Sequence, residues 1–122
     1  MKRIVISLFI CLLFWNISWP YQAMAESNRN SEKKHTDFYD AVLVLLDPYA
    51  RKAIENKYPT RSYGLWNAEI LEVHRKTEGF SQYNFIIKVK YDTYTGPHNP
   101  PEGPVTLTFD VNLDRVTVTE IE

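Results

Sequence analysis

Residues 83–111 read YNFIIKVKYDTYTGPHNPPEGPVTLTFDV, and this stretch decides the fold. Tyr83, Phe85, Ile87, Val89 and Tyr91 alternate with Asn84, Lys88, Lys90 and Asp92. A period of two places one set on a buried face and the other toward water, the mark of a long half-buried strand. Val105, Leu107, Phe109 and Val111 repeat the alternation against Thr106, Thr108 and Asp110. A turn over Asn112–Arg115 leads to a last strand through Val116 and Val118. An earlier strand is expected from about Asn67 to Lys76, turning at Thr77-Glu78-Gly79. Parity then predicts registers. Val73 falls opposite Tyr83, Leu71 opposite Phe85, and Tyr91 opposite Phe109, all inward. On the outer face Ile70 meets Ile86, and Lys90 meets Asp110 as a cross-strand charge pair. Ile70, Ile86 and Tyr94 would form an outward apolar patch.

Before the strands the spacing is helical. Phe38, Val42, Leu45, Tyr49 and Ala53 recur every three or four residues, flanked by Tyr39, Leu43, Leu46, Ala50, Ile54 and Tyr58. So wide an apolar stripe belongs to a helix lying on a core. Pro48 interrupts it, because proline lacks the N–H that the Val44 carbonyl would accept and disfavours helical backbone at Asp47. Asp47 is a suitable cap for a second helix with Pro48 at its first position. The expected class is therefore α+β: an N-terminal helix or kinked helix pair packed on a four-stranded antiparallel meander sheet.

The first 25 residues have a different character. Lys2 and Arg3 precede an apolar run from Ile4 to Trp19, Pro20 breaks it, and Ala23-Met24-Ala25 offers the small residues a signal peptidase accepts. This layout predicts a signal peptide over 1–25 and an exported protein, extracellular or associated with the cell wall. The run is short of the about 20 apolar residues of a spanning helix; membrane contact is expected only through an uncleaved leader. Glu26–Lys34 has no apolar side chain, so 26–35 is expected as a flexible polar arm and 36–122 as a single domain.

Removing 25 residues from 122 leaves 97, with 12 basic and 15 acidic residues and a charge of −3. Nucleic-acid binding is not expected from that balance. Cys11 leaves with the leader, which excludes disulfide or thiol chemistry in the remainder. A chain of this size buries roughly 60% of its unfolded surface, enough to fold without staples.

Leu45-Leu46-Asp47-Pro48-Tyr49, Ala53-Ile54, Trp66-Asn67-Ala68-Glu69-Ile70-Leu71 and above all Gly96-Pro97-His98-Asn99-Pro100-Pro101-Glu102-Gly103 followed by Thr106-Leu107-Thr108-Phe109 carry a resemblance. Together they resemble an uncharacterised domain-of-unknown-function family of small exported proteins of Bacillus-type, spore-forming Gram-positive bacteria. The likeness covers nearly all of residues 40–118. It implies secretion and a fold similar in outline to cystatin-like or nuclear-transport-factor-like α+β domains. It supplies no catalytic residue.

The run from Gly96 to Gly103 is the candidate binding site. Hairpin loops commonly hold about two to five residues, and this one holds eight between Thr95 and Pro104. Pro97, Pro100 and Pro101 within it and Pro104 at its end stiffen it, so little ordering entropy is lost when something docks. Gly96, Pro97, His98, Asn99, Pro100 and Pro101 are the expected contacts, extended by Tyr94, with His98 and Asn99 held outward. The competing reading is a braced connection with no ligand, with a cis bond before Pro100 or Pro101. His35, His74 and His98 do not stand at metal-ligand spacing, so neither metal nor cofactor is expected. Asp92, Glu102 and Asp110 near one end of the hairpin suggest glycosidase carboxylates, but a general acid needs burial or a like-charged neighbour. The sequence thus favours a secreted non-enzymatic binding or interaction module whose partner is an extracellular or envelope protein or ligand. A small extracellular hydrolase or ligand-binding pocket protein, and a structural envelope protein, are the alternatives.

Overall fold

The computed structural model describes the backbone of residues 19–122 and the side chains from Lys33 onward. The basic start of the leader and its apolar run through Ser18, Cys11 included, lie outside the described residues. Helix α1 runs from Trp19 to Lys57. The strands are β1 (Ser62–Tyr63), β2 (Glu69–Arg75), β3 (Phe85–Tyr94), β4 (Gly103–Val111) and β5 (Val116–Ile121), with a 3-10 turn at Leu65–Asn67. Two compact units divide between Phe38 and Tyr39. In the first, residues 19–38 are helical, including the segment expected as a polar arm. No glycine or proline stands between Tyr21 and Asp47, so nothing in the chain terminates a helix there.

The second unit, Tyr39–Glu122, holds the sheet and the core. Leu43, Leu46, Ala50 and Ile54 are buried against Ile87, Val89 and Tyr91 of β3 and Val105, Leu107 and Phe109 of β4. Each Val, Leu, Ile and Phe among them contributes about 1.5–3 kcal/mol by leaving water. Of the two helical rows in the sequence, the one through Leu43 and Leu46 faces the core. Phe38, Val44 and Leu45 are exposed. Pro48 sits inside one helix rather than opening a second. Asp47 is therefore no cap; its carboxylate accepts from Tyr63 and Arg51 instead. At the two ends of this packed stretch, Tyr39 accepts the Ile70 amide N–H at 2.6 Å and Lys57 donates to the Ile121 carbonyl at 2.6 Å.

All strand pairings are antiparallel, and the sheet has five strands rather than the expected four. β1 and β2 lie one after the other along the same edge of β3, with β4 and β5 following on its other side. The inward parity of odd residues in β3 and β4 matches the alternation, but the registers differ. Tyr91 pairs with Val105 and Phe109 with Ile87; Lys90 stands opposite Thr106 and Asp110 opposite Ile86. The hairpin closes where the Glu102 N–H donates to the Thr93 carbonyl at 2.7 Å, which sets the slip. Gly103 follows at φ +137°, a conformation that favours glycine. The Lys90–Asp110 pair is accordingly absent: Lys90 bonds Glu69, and Lys76 reaches Asp110 at 2.6 Å.

The first hairpin corrects the reading further. A bulge between Ile70 and Glu72 lets Ile70 pair with Val89 on the inner face, where it packs on the core. The outward patch of Ile70 with Ile86 therefore does not exist. Val73 pairs with Ile87 and Arg75 with Phe85, while Leu71 and Val73 are exposed. Tyr83, expected inward on this strand, lies outside it and is exposed. The turn carries Gly79 at φ +130° and Ser81 at φ +65°, centring it beyond Glu78.

Candidate functional site

The proline-rich loop spans Thr95–Glu102 and is tied to itself. The Asn99 N–H donates to the Gly96 carbonyl at 3.2 Å. The Thr95 hydroxyl donates to Glu102 Oε1 at 2.9 Å, and Thr93 Oγ1 donates to the Gly103 carbonyl at 2.9 Å. Asn99 Nδ2 turns back toward Thr95 Oγ1 at 3.4 Å, so this side chain is not simply held outward. His98, Pro100 and Pro101 are exposed. Every described peptide bond is trans, so the cis bond that the braced-connection reading allowed before Pro100 or Pro101 is not present.

What the loop leans toward is an aromatic platform. Trp66, in the 3-10 turn between β1 and β2, is 79% exposed. Its ring lies over Gly64: a Cβ built there would stand 2.0 Å from Trp66 Cζ3. Only a residue without a side chain lets the indole lie so close to the backbone. The indole also stacks on Tyr94 of β3, with centroids 6.5 Å apart and planes 28° from parallel. Asn67 Nδ2 donates to the Tyr94 hydroxyl at 2.7 Å, and Ser62 Oγ donates to the Tyr94 carbonyl at 3.3 Å. A groove of ≈ 310 Å³ runs between Trp66, Tyr94, Pro97 and Asn99. Four expected contacts, Tyr94, Gly96, Pro97 and Asn99, meet there. His98, Pro100 and Pro101 do not line it.

Trp66 also bounds a second groove, of ≈ 470 Å³, with a charged wall that includes Asp47, Arg51, Glu55 and Arg61. Tyr63 donates to Asp47 Oδ1 at 2.6 Å, and Arg51 donates to Asp47 Oδ2 at 2.6 Å. Burial, helped by the neighbouring Asp47 carboxylate, pushes the Tyr63 phenol well above the usual tyrosine range. The same carboxylate raises the Arg51 guanidinium. Tyr63 therefore stays a proton donor and Arg51 a cation at any physiological pH. Arg61 lies over the Tyr58 ring at 4.5 Å. Trp66, Gly64, Ser62, Tyr63, Asp47 and Arg51 are the site residues that sequence reasoning missed. The available signal was a glycine two places before a tryptophan in a short polar connection.

The catalytic candidates do not converge. Asp110 pairs with Lys76, Glu102 accepts from Thr95, and Asp92 stands opposite Pro104. His74 Nδ1 lies 2.8 Å from Glu72 Oε1 on an exposed strand. Among the described residues no three His, Cys, Asp or Glu side chains gather as metal ligands. Among the described residues, too, no helix is long and apolar enough to cross a membrane.

No curated protein and no solved structure matches this chain. Residues 38–122, which hold the whole sheet and both grooves, match the family described as protein of unknown function DUF3888. The chain belongs to that family.

Proposed function

We propose that this protein is an exported, non-enzymatic binding module whose recognition surface joins the Trp66–Tyr94 platform to the Gly96–Pro101 loop. The single observation that carries the reading is a tryptophan 79% exposed and yet fixed in place by Gly64 and Tyr94. An indole left in water forgoes the stabilisation that burial would give. Rigid aromatic surface of this kind is what recognition sites use, because few rotamers are frozen on contact. The loop beside it is stiffened by proline and by its own hydrogen bonds, which lowers the ordering cost again. The basic, apolar and small-residue layout of the leader supports export, and the sequence resemblance supports a Bacillus-type Gram-positive source. The helix across an antiparallel sheet is similar in layers to cystatin-like domains, an analogy of fold that supplies no site.

The test is capture in the producing cell, from envelope and culture fluid, with the full gene tagged after Glu122. Trp66→Ala and the paired His98→Ala/Asn99→Ala variants are compared with the parent, each checked by thermal melting. The expected result is a partner retained by the parent and lost by a Trp66→Ala protein of unchanged melting temperature. Retention by Trp66→Ala would remove the platform from the recognition surface.

A further inference from the structure

We propose that the ligand of this surface is a neutral saccharide, one pyranose ring lying face-on to Trp66 with its neighbours in the two grooves that Trp66 bounds. The inference rests on the reading of Trp66 as the recognition centre and adds the chemical class. Trp66 is a shared wall of the ≈ 470 Å³ and ≈ 310 Å³ grooves, both within the about 300–1,000 Å³ of ligand clefts. A ligand that contacts the indole and fills both grooves must therefore be extended, with an apolar face at its middle and polar groups along its edges. An equatorially substituted pyranose has that form: its axial C–H bonds make a flat apolar face, and its hydroxyls ring the edge.

The polar groups of the grooves separate this class from its rivals. On the charged side Arg61 offers donors and Glu55 an acceptor; on the other, the Asn99 amide offers both. A hydroxyl donates and accepts, so it uses both kinds. A proline-rich peptide presents carbonyl acceptors without N–H donors at its prolines, and would leave the carboxylate side of the groove unpartnered. A charged ligand is not selected either. Asp47 is already matched by Arg51, and Glu55 and Arg61 bring one further charge of each sign. The wall is polar with balanced charge, which suits a neutral polyol.

The experiment is a titration of the full chain, followed by the Trp66 indole N–H resonance and by calorimetry. The resonance is assigned by its loss in Trp66→Phe. The probes are cellotriose, N,N′,N″-triacetylchitotriose and an octaproline peptide. At least one trisaccharide should move the Trp66 resonance saturably while octaproline leaves it in place. Trp66→Ala should weaken that trisaccharide by at least about tenfold, and Glu55→Gln by several-fold without a change in melting temperature. A Trp66 signal unmoved by both trisaccharides, or moved only by octaproline, overturns the saccharide assignment. Should Trp66→Ala still abolish partner capture in that case, the recognition surface stands and only the ligand class falls. Should Trp66→Ala leave capture intact, the surface itself is misassigned.

Discussion

Tyr91 is wholly buried in β3, edge-on to Tyr63 with centroids 5.1 Å apart, and its hydroxyl has no hydrogen-bond partner among the described residues. A buried phenol of this kind costs about 1–3 kcal/mol in unrecovered solvation. Tyr91→Phe should therefore be no less stable than the parent at neutral pH, and more stable by up to about 1 kcal/mol in chemical denaturation. The pH dependence follows from the same burial, which raises the Tyr91 phenol above its ordinary value of 10.0. A folded-state pKa raised above the unfolded one gives stability that is whole below about pH 10 and is lost as pH climbs past it. Melting temperature should fall above pH 10, and less steeply in Tyr91→Phe; equal slopes would show that this hydroxyl is not the titrating group. Tyr63 shares the sign of the shift but carries a bond to Asp47. Tyr63→Phe should thus lose about 0.5–1.5 kcal/mol where Tyr91→Phe does not. Gly64 makes a different prediction. Its φ of −129° suits any residue, so Gly64→Ala brings no backbone strain. The three atoms nearest the added methyl all belong to the indole, which it displaces. Melting should change little while partner capture falls as it does for Trp66→Ala.

At the level of elements, α1 is held by packing against its own local preference. Pro48 gives no N–H to the Val44 carbonyl, and a proline in a helix interior costs about 3 kcal/mol. The helix continues because Leu46, Ala50 and Ile54 are buried on both sides of that point, and Arg51 and Tyr63 converge on Asp47 beside it. Pro48→Ala should stabilise by about 1–3 kcal/mol and Ile54→Ala should cost about 2–5 kcal/mol, both read from denaturant midpoints. A destabilised Pro48→Ala would mean the proline sets a bend that the core needs. This helix also shows how far the sequence is legible. Periodicity found the stripe but could not choose between the row of Phe38 and Leu45 and the row of Leu43 and Leu46, because the stripe is wider than the buried face. In the strands, parity was readable from Ile87, Val89 and Leu107. Register was not, since it depends on the Glu102–Thr93 closure and on the bulge after Ile70. The Thr95–Glu102 loop announced itself by its prolines. The platform it faces did not, because the contact of Trp66 with Tyr94 joins residues that no local pattern connects.

Across the whole Tyr39–Glu122 unit, stability should be unevenly distributed, and amide hydrogen exchange can measure that. β3 and β4 share the longest pairing, from Phe85–Val111 to Thr93–Gly103, and their inward side chains make up most of the core. β2 pairs only with β3, and of its residues only Ile70 is partly buried. Opening β2 breaks one ladder and uncovers little apolar surface, whereas opening β3 uncovers the core. Local opening free energies range from nearly zero to the global value according to such burial. The Val105–Phe109 amides should therefore exchange with the slowest class, and those of Val73–Arg75 faster by on the order of a hundredfold or more. Equal protection in both strands would mean that the sheet opens as one unit. The difference bears on recognition, because Trp66 sits in the connection between β1 and β2, on the softer edge of the sheet. A ligand clamped between Trp66 and the loop after β3 ties that edge to the stable centre. Saturating ligand should accordingly slow exchange along β1 and β2 by the same factor as in β4, because mass action penalises global unfolding and equally any opening of the edge that releases the ligand. Protection gained in β4 but not along β1 and β2 would mean that the edge opens with the ligand still bound, so the ligand does not tie that edge to the centre.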